Sequence, residues 1–161
     1  MNGAAGGALL LLTACSSEAV GLRLPGGGAS AHVWAESEGL GEQRLMIAVQ
    51  NSRGRVSRTL WVDWGPAHRV NLYLTSEGWL AALGGGGDAE MFEIPSGARP
   101  RWIPYDNRPR SDGRDWQYIG VIDQFEGKLK YFSPAQSTEC LPMYGAGFSP
   151  YRKVHQAEHD C

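Results

Sequence analysis

The feature of this chain that most limits its fold is a hydrophobic period of two, repeated in three pairs of segments joined by turn residues. Leu45, Ile47 and Val49 alternate with Arg44, Met46, Ala48 and Gln50. Beyond Asn51-Ser52-Arg53-Gly54, the residues Val56, Leu60, Val62 and Trp64 alternate with Ser57, Thr59 and Asp63. Successive side chains of a strand point to opposite faces, so each such run offers one face to a core and one to water. Val70, Leu72 and Leu74 alternate with Arg69, Asn71 and Tyr73, and Thr75-Ser76-Glu77-Gly78 turns the chain into Trp79-Leu80-Ala81-Ala82-Leu83. A third pair, Trp116 to Ile122 and Lys128 to Phe132, flanks a short loop ending in Gly127. These are hairpin signals. The expected fold is mainly β: a single antiparallel β-sandwich or barrel-like domain. A length of 161 residues, 42% apolar and 20% charged, suits one such core.

Two segments break the pattern. Pro95 to Arg114 holds Pro95, Pro100, Pro104 and Pro109 together with Arg99, Arg101, Arg108, Arg110 and Arg114. Proline cannot donate to a sheet ladder, so this stretch is expected to be a long loop with no central strand. At the other extreme, Ser149 can cap a short C-terminal helix with Pro150 at its first position.

At the amino end, Ala4 to Ala14 is an uncharged run too short for the ~20 residues that span a bilayer, but it fits the ~7 to 15 residue apolar region of an export signal. Met1-Asn2-Gly3 ahead of it carries no Lys or Arg, where export signals carry positive charge. The run ends in Leu12-Thr13-Ala14-Cys15-Ser16, which resembles the lipobox of bacterial lipoproteins. That resemblance covers only about the first sixteen residues. It implies removal of residues 1–14, a diacylglyceryl thioether on Cys15 and an acyl chain on its freed amine. Several acyl chains on one residue make a stable membrane anchor, at ~0.8 kcal/mol per buried methylene. Ser16 implies the outer membrane, with the domain facing the periplasm. After Cys15 the low-complexity stretch to Gly28, ending in Gly26-Gly27-Gly28, reads as a flexible tether. The domain is then expected to run from Ala29 to Cys161.

Lipidation of Cys15 leaves Cys140 and Cys161 in a compartment where disulfides persist. Paired, they would close a loop of about twenty residues, worth ~3 kcal/mol in the chain-entropy model; the alternative is two free thiols.

Other patterns resemble catalytic motifs without completing them. His155-Gln156-Ala157-Glu158-His159 satisfies H-x-x-E-H, yet only Asp160 and Cys161 follow, so the third ligand of a zinc hydrolase is missing. Gly84-Gly85-Gly86-Gly87 is followed by Asp88, not by the Gly-Lys-Ser/Thr of a phosphate loop. No G-x-S-x-G elbow occurs. Neither a metal nor a cofactor is expected. Net charge is −2 (15 basic against 17 acidic side chains), so no global basic field draws the protein to nucleic acid.

Two groups are candidates for partner binding. In Trp61-Val62-Asp63-Trp64-Gly65-Pro66-Ala67-His68-Arg69, one tryptophan can fill the core while the other meets a partner, with Trp64, His68 and Arg69 as contacts. In the proline-arginine loop, Arg99, Arg101, Arg108, Arg110 and Arg114 accompany Trp102 and Tyr105, with Trp116 just after; their guanidinium forks are expected to be exposed and to suit carboxylate or phosphate. The expected function is a non-enzymatic binding module of the bacterial envelope, with a protein partner such as a toxin, or an anionic envelope component. An envelope hydrolase assembled from distant residues and a structural accessory subunit are the alternatives.

Overall fold

A computed structural model describes residues 19–37, 42–63, 69–84, 89–108 and 116–137. Ten strands lie in this part of the chain: β1 Val20–Arg23, β2 Ala29–Ser37, β3 Gln43–Asn51, β4 Gly54–Asp63, β5 Val70–Leu74, β6 Trp79–Gly84, β7 Ala89–Glu93, β8 Arg101–Ile103, β9 Gln117–Phe125 and β10 Lys128–Phe132. One 3₁₀ turn, Tyr105–Asn107, is the only helical element among the described residues. Two antiparallel sheets form, ordered β1-β2-β3-β4 and β10-β9-β5-β6-β7-β8. They pack face to face as a sandwich, with β1 beside β10 and β4 beside β8.

Each expected hairpin is present: β3 with β4, β5 with β6, and β9 with β10. The last turns through Glu126 and Gly127, both at positive φ (52° and 75°), the pairing of dihedrals that matches the right-handed twist of the flanking strands. Between the sheets lie Val33, Leu45, Ile47, Val49, Leu72 and Phe92, each at most 1% exposed. Full burial of such a side chain contributes ~1.5 to 3 kcal/mol.

Three expectations are corrected. The segment read as a tether through Gly28 is part of the domain from Val20 onward. Val20, Leu22 and Leu24 face the core while Gly21 and Arg23 face out, and β1 pairs with β2 from Val20↔Val33 to Arg23↔Ser30. The glycine run closes that hairpin: the Leu24 N–H donates to Ala29 O at 3.0 Å and the Gly27 N–H to Leu24 O at 3.1 Å. In the second case, the proline-arginine loop contains a strand after all. β8 sits between Pro100 and Pro104 and pairs with β7 through Met91↔Ile103 and Glu93↔Arg101, at the sheet edge where proline is tolerated. In the third, Val62 is 45% exposed where the alternation put it inward. A bulge opposite Leu45/Met46 turns both Leu60 and Trp61 toward the core and reverses the inward-outward phase from Val62 on.

A second apolar cluster lies on the outer face of the six-stranded sheet, around Tyr73, Ala81, Leu83, Met91, Ile103 and Trp116. Trp116, expected to accompany the exposed loop, is 1% exposed and packs 6.2 Å from the Tyr73 ring. The short helix expected after Ser149 lies outside the described residues.

Candidate binding surface

The four-stranded sheet ends on β4 and the six-stranded sheet on β8, and arginines line the seam where these two edges meet. Arg53, Arg55 and Arg58 come from β4 and the turn before it, Arg99 from the segment just ahead of β8 and Arg101 from its first position; all five are exposed. Among the described residues the one carboxylate paired to this row is Glu93, which accepts from Nε and Nη2 of Arg101.

The arginines are held in different ways. At the β3–β4 turn, Asn51 Oδ1 accepts from the Arg53 N–H at 2.8 Å while Asn51 Nδ2 donates to Ala98 O at 2.6 Å, pinning one sheet's turn to the other's. Arg99 then donates from Nε at 3.0 Å and Nη2 at 2.6 Å to Arg55 O, covering a free carbonyl of the β4 edge. Gly54 makes room for this crossing: a Cβ there would meet Arg99 Cγ at 2.9 Å. The Arg55 guanidinium lies 5.5 Å from the Trp34 ring centroid, and that of Arg58 3.8 Å from the Trp102 ring. Neither Arg55 nor Arg58 makes a side-chain hydrogen bond or ion pair among the described residues. A guanidinium over an indole is fixed in place by its face, which leaves the rim of N–H donors available to an anion.

Behind Arg58 is a polar cluster. Glu90 Oε2 accepts from Trp102 Nε1 at 2.6 Å and from Arg108 Nη2 at 2.8 Å, while Arg108 Nη1 donates to Ala89 O at 2.7 Å. Burial pushes the Arg108 guanidinium below its ordinary pKa, and Glu90 opposes that shift. Tyr105, 58% exposed, has its ring 5.5 Å from Arg108.

The expectation that the loop's arginines stand exposed is corrected at Arg108. Arg108 is a strut, with its side chain 6% exposed; Arg99 and Arg101 are exposed but engaged. Trp102 and Tyr105 do lie beside them. Arg69 is elsewhere, 3.6 Å from Asp123 at the β5–β9 side. Cys15, Trp64, His68, Arg110, Arg114, Cys140, Cys161 and the His155–His159 motif lie outside the described residues.

The sequence patterns do not single out Arg53, Arg55, Arg58 or Trp34. A signal is present in the density of three arginines within six residues, on both faces of one strand, which marks an edge. No group of three potential metal ligands occurs among the described residues, and no helix there is long and apolar enough to cross a membrane. Comparison of the chain with protein-family models, with curated proteins and with solved structures found no match in any of the three.

Proposed function

We propose that this protein is a lipid-anchored, non-enzymatic binding module of the bacterial envelope, held to the membrane through Cys15, and that its β4–β8 seam engages an acidic protein partner. The observation that carries the reading is the pair of stacked, otherwise uncommitted guanidinium groups, Arg55 on Trp34 and Arg58 on Trp102, within a row of five exposed arginines. Trp and Arg concentrate binding energy at protein interfaces, and a bidentate Arg–carboxylate contact is among the stronger polar contacts available. A local basic row on a chain of net charge −2 also steers encounter toward one face.

Arginine on an edge strand also discourages strand addition, a role that lysine fills as well. The two roles separate by substitution. Replacing Arg53, Arg55 and Arg58 with Gln should abolish salt-sensitive capture of the partner from envelope extract. Replacing them with Lys, which keeps charge but loses the planar fork, should weaken it several-fold. Capture by the Gln variant equal to that of wild type contradicts the reading.

A further inference from the structure

We infer that the acidic partner lies across the outer face of the four-stranded sheet, from Arg55 on β4 to Arg23 on the opposite edge strand β1, and is not confined to the β4–β8 seam. This rests on the reading of the seam as a site for an acidic protein.

The registers lay this face out in rows that cross the strands. One row is Arg23, Ser30, Gln50 and Arg55. In the next, Gly21, His32 and Ala48 are aligned, and Trp34 stands one row further on. Arg23 and Arg55 are thus the two ends of a single row, three strand spacings or ~14 Å apart along the backbone. Both are exposed, and Arg23, like Arg55, makes no side-chain hydrogen bond or ion pair among the described residues. Among the described residues these three rows hold no carboxylate; Glu36, in the row beyond Trp34, accepts from Trp34 Nε1 at 2.8 Å. The outer face of the six-stranded sheet offers no such surface, because Tyr73, Ala81, Leu83 and Met91 there are at most 4% exposed.

Small residues in the middle row let the larger side chains lie flat. The His32 ring covers Gly21, where a Cβ would meet Nδ1 at 3.0 Å, and its Nε2 is 3.1 Å from Ser30 Oγ and 3.2 Å from Gln50 Nε2. Arg55 reaches diagonally over the sheet to Trp34, and the residue between them in the register is Ala48, 0% exposed although it belongs to the outer face. Side chains already ordered by their neighbours lose little freedom on binding. Hydroxyl, amide and imidazole groups between two guanidinium groups complement a carboxylate-bearing partner in both charge and hydrogen bonding.

The full chain is titrated with an oligoglutamate peptide at low ionic strength while NMR follows the Trp34 indole and the His32 imidazole, assigned through His32→Gln. Both signals should shift saturably. Arg23→Gln should weaken binding several-fold, whereas Lys128→Gln, which removes the same charge from an exposed position on the other sheet, should leave it unchanged. Binding by Arg23→Gln equal to that of wild type overturns the outer-face contact and leaves the seam standing. Failure of wild type to bind the peptide overturns the seam reading, and this one with it. Shifts of His32 and Trp34 with oligogalacturonate and none with the peptide would make the ligand an acidic glycan, which overturns the protein partner.

Discussion

The guanidinium of Arg58 stacks 3.8 Å from the ring centroid of Trp102, and through this contact the edge strands of the two sheets meet side chain to side chain. Arg58 shares the inward register of Ile47, and Trp102 that of Phe92, so the stack covers the opening between the sheets. A double-mutant cycle of Arg58→Ala with Trp102→Phe, read by chemical denaturation, should return a coupling of about 0.5 to 1 kcal/mol. A coupling near zero would mean that the stack contributes no stability.

Arg108 should be the arginine whose loss hurts folding. Its replacement by Met removes a charged donor from Glu90, which stays half-buried with the Trp102 Nε1–H still bonded to it. The expected loss is about 2 to 3 kcal/mol, while Arg53→Gln and Arg55→Gln stay within about 0.5 kcal/mol of wild type. Adding Glu90→Gln to Arg108→Met should recover part of the loss, because no uncompensated carboxylate then remains. Urea midpoints of the four variants test this.

At Gly120, φ is 124° and a Cβ would collide with Phe132 O and lie 2.7 Å from the Tyr131 ring. Neither neighbour can retreat, since one is backbone and the other spans the bulge of β9 to donate to Ile119 O at 2.5 Å. Gly120→Ala should prevent folding or cost several kcal/mol. Gly97→Ala, also at positive φ but with open space around it, should cost about 1 kcal/mol. Circular dichroism melts of the two variants would show the contrast.

Burial raises the Tyr131 phenol above its ordinary pKa. The neutral form is favoured in the folded protein, so this contribution to stability is complete below the unfolded value and is lost as pH rises through the folded one. Across that alkaline window the urea midpoint of wild type should fall more steeply than that of Tyr131→Phe. At neutral pH the Phe variant should be less stable by about 1 kcal/mol, for the lost hydrogen bond. Parallel pH profiles would refute the assignment.

The hairpins are legible in the sequence because Leu45, Ile47 and Val49, or Val70 and Leu72, repeat at the strand period with turn residues between. β1 is hidden because Val20, Leu22 and Leu24 are few and sit next to Gly26-Gly27-Gly28, whose composition suggests a tether when it is in fact a turn. The bulge at Leu60 and Trp61 changes phase without changing composition, so alternation alone assigns Val62 inward. The partners of the loop arginines are out of reach for a different reason. Glu90 lies eighteen residues from Arg108, and the carbonyl of Arg55 forty-four from Arg99. The β7–β8 pairing brings the first pair together, and the abutment of β4 and β8 the second. The β4–β8 abutment also gathers Arg53, Arg55 and Arg58 with Arg99 and Arg101 into one basic row, which neither segment displays alone.

The role of the seam is tested at closest range by titrating the protein with a short Glu/Asp-rich peptide and following its indole N–H resonances by NMR. Trp34 and Trp102 carry the stacked guanidinium groups, whereas Trp79 and Trp116 belong to the cluster on the far face of the second sheet. If the arginine row binds carboxylates, the Trp34 and Trp102 signals should shift saturably, with the shifts lost at high salt and in the Arg53→Gln, Arg55→Gln, Arg58→Gln variant, and with Trp79 and Trp116 unmoved. Shifts confined to Trp79 and Trp116, or no shift at low ionic strength, would contradict it.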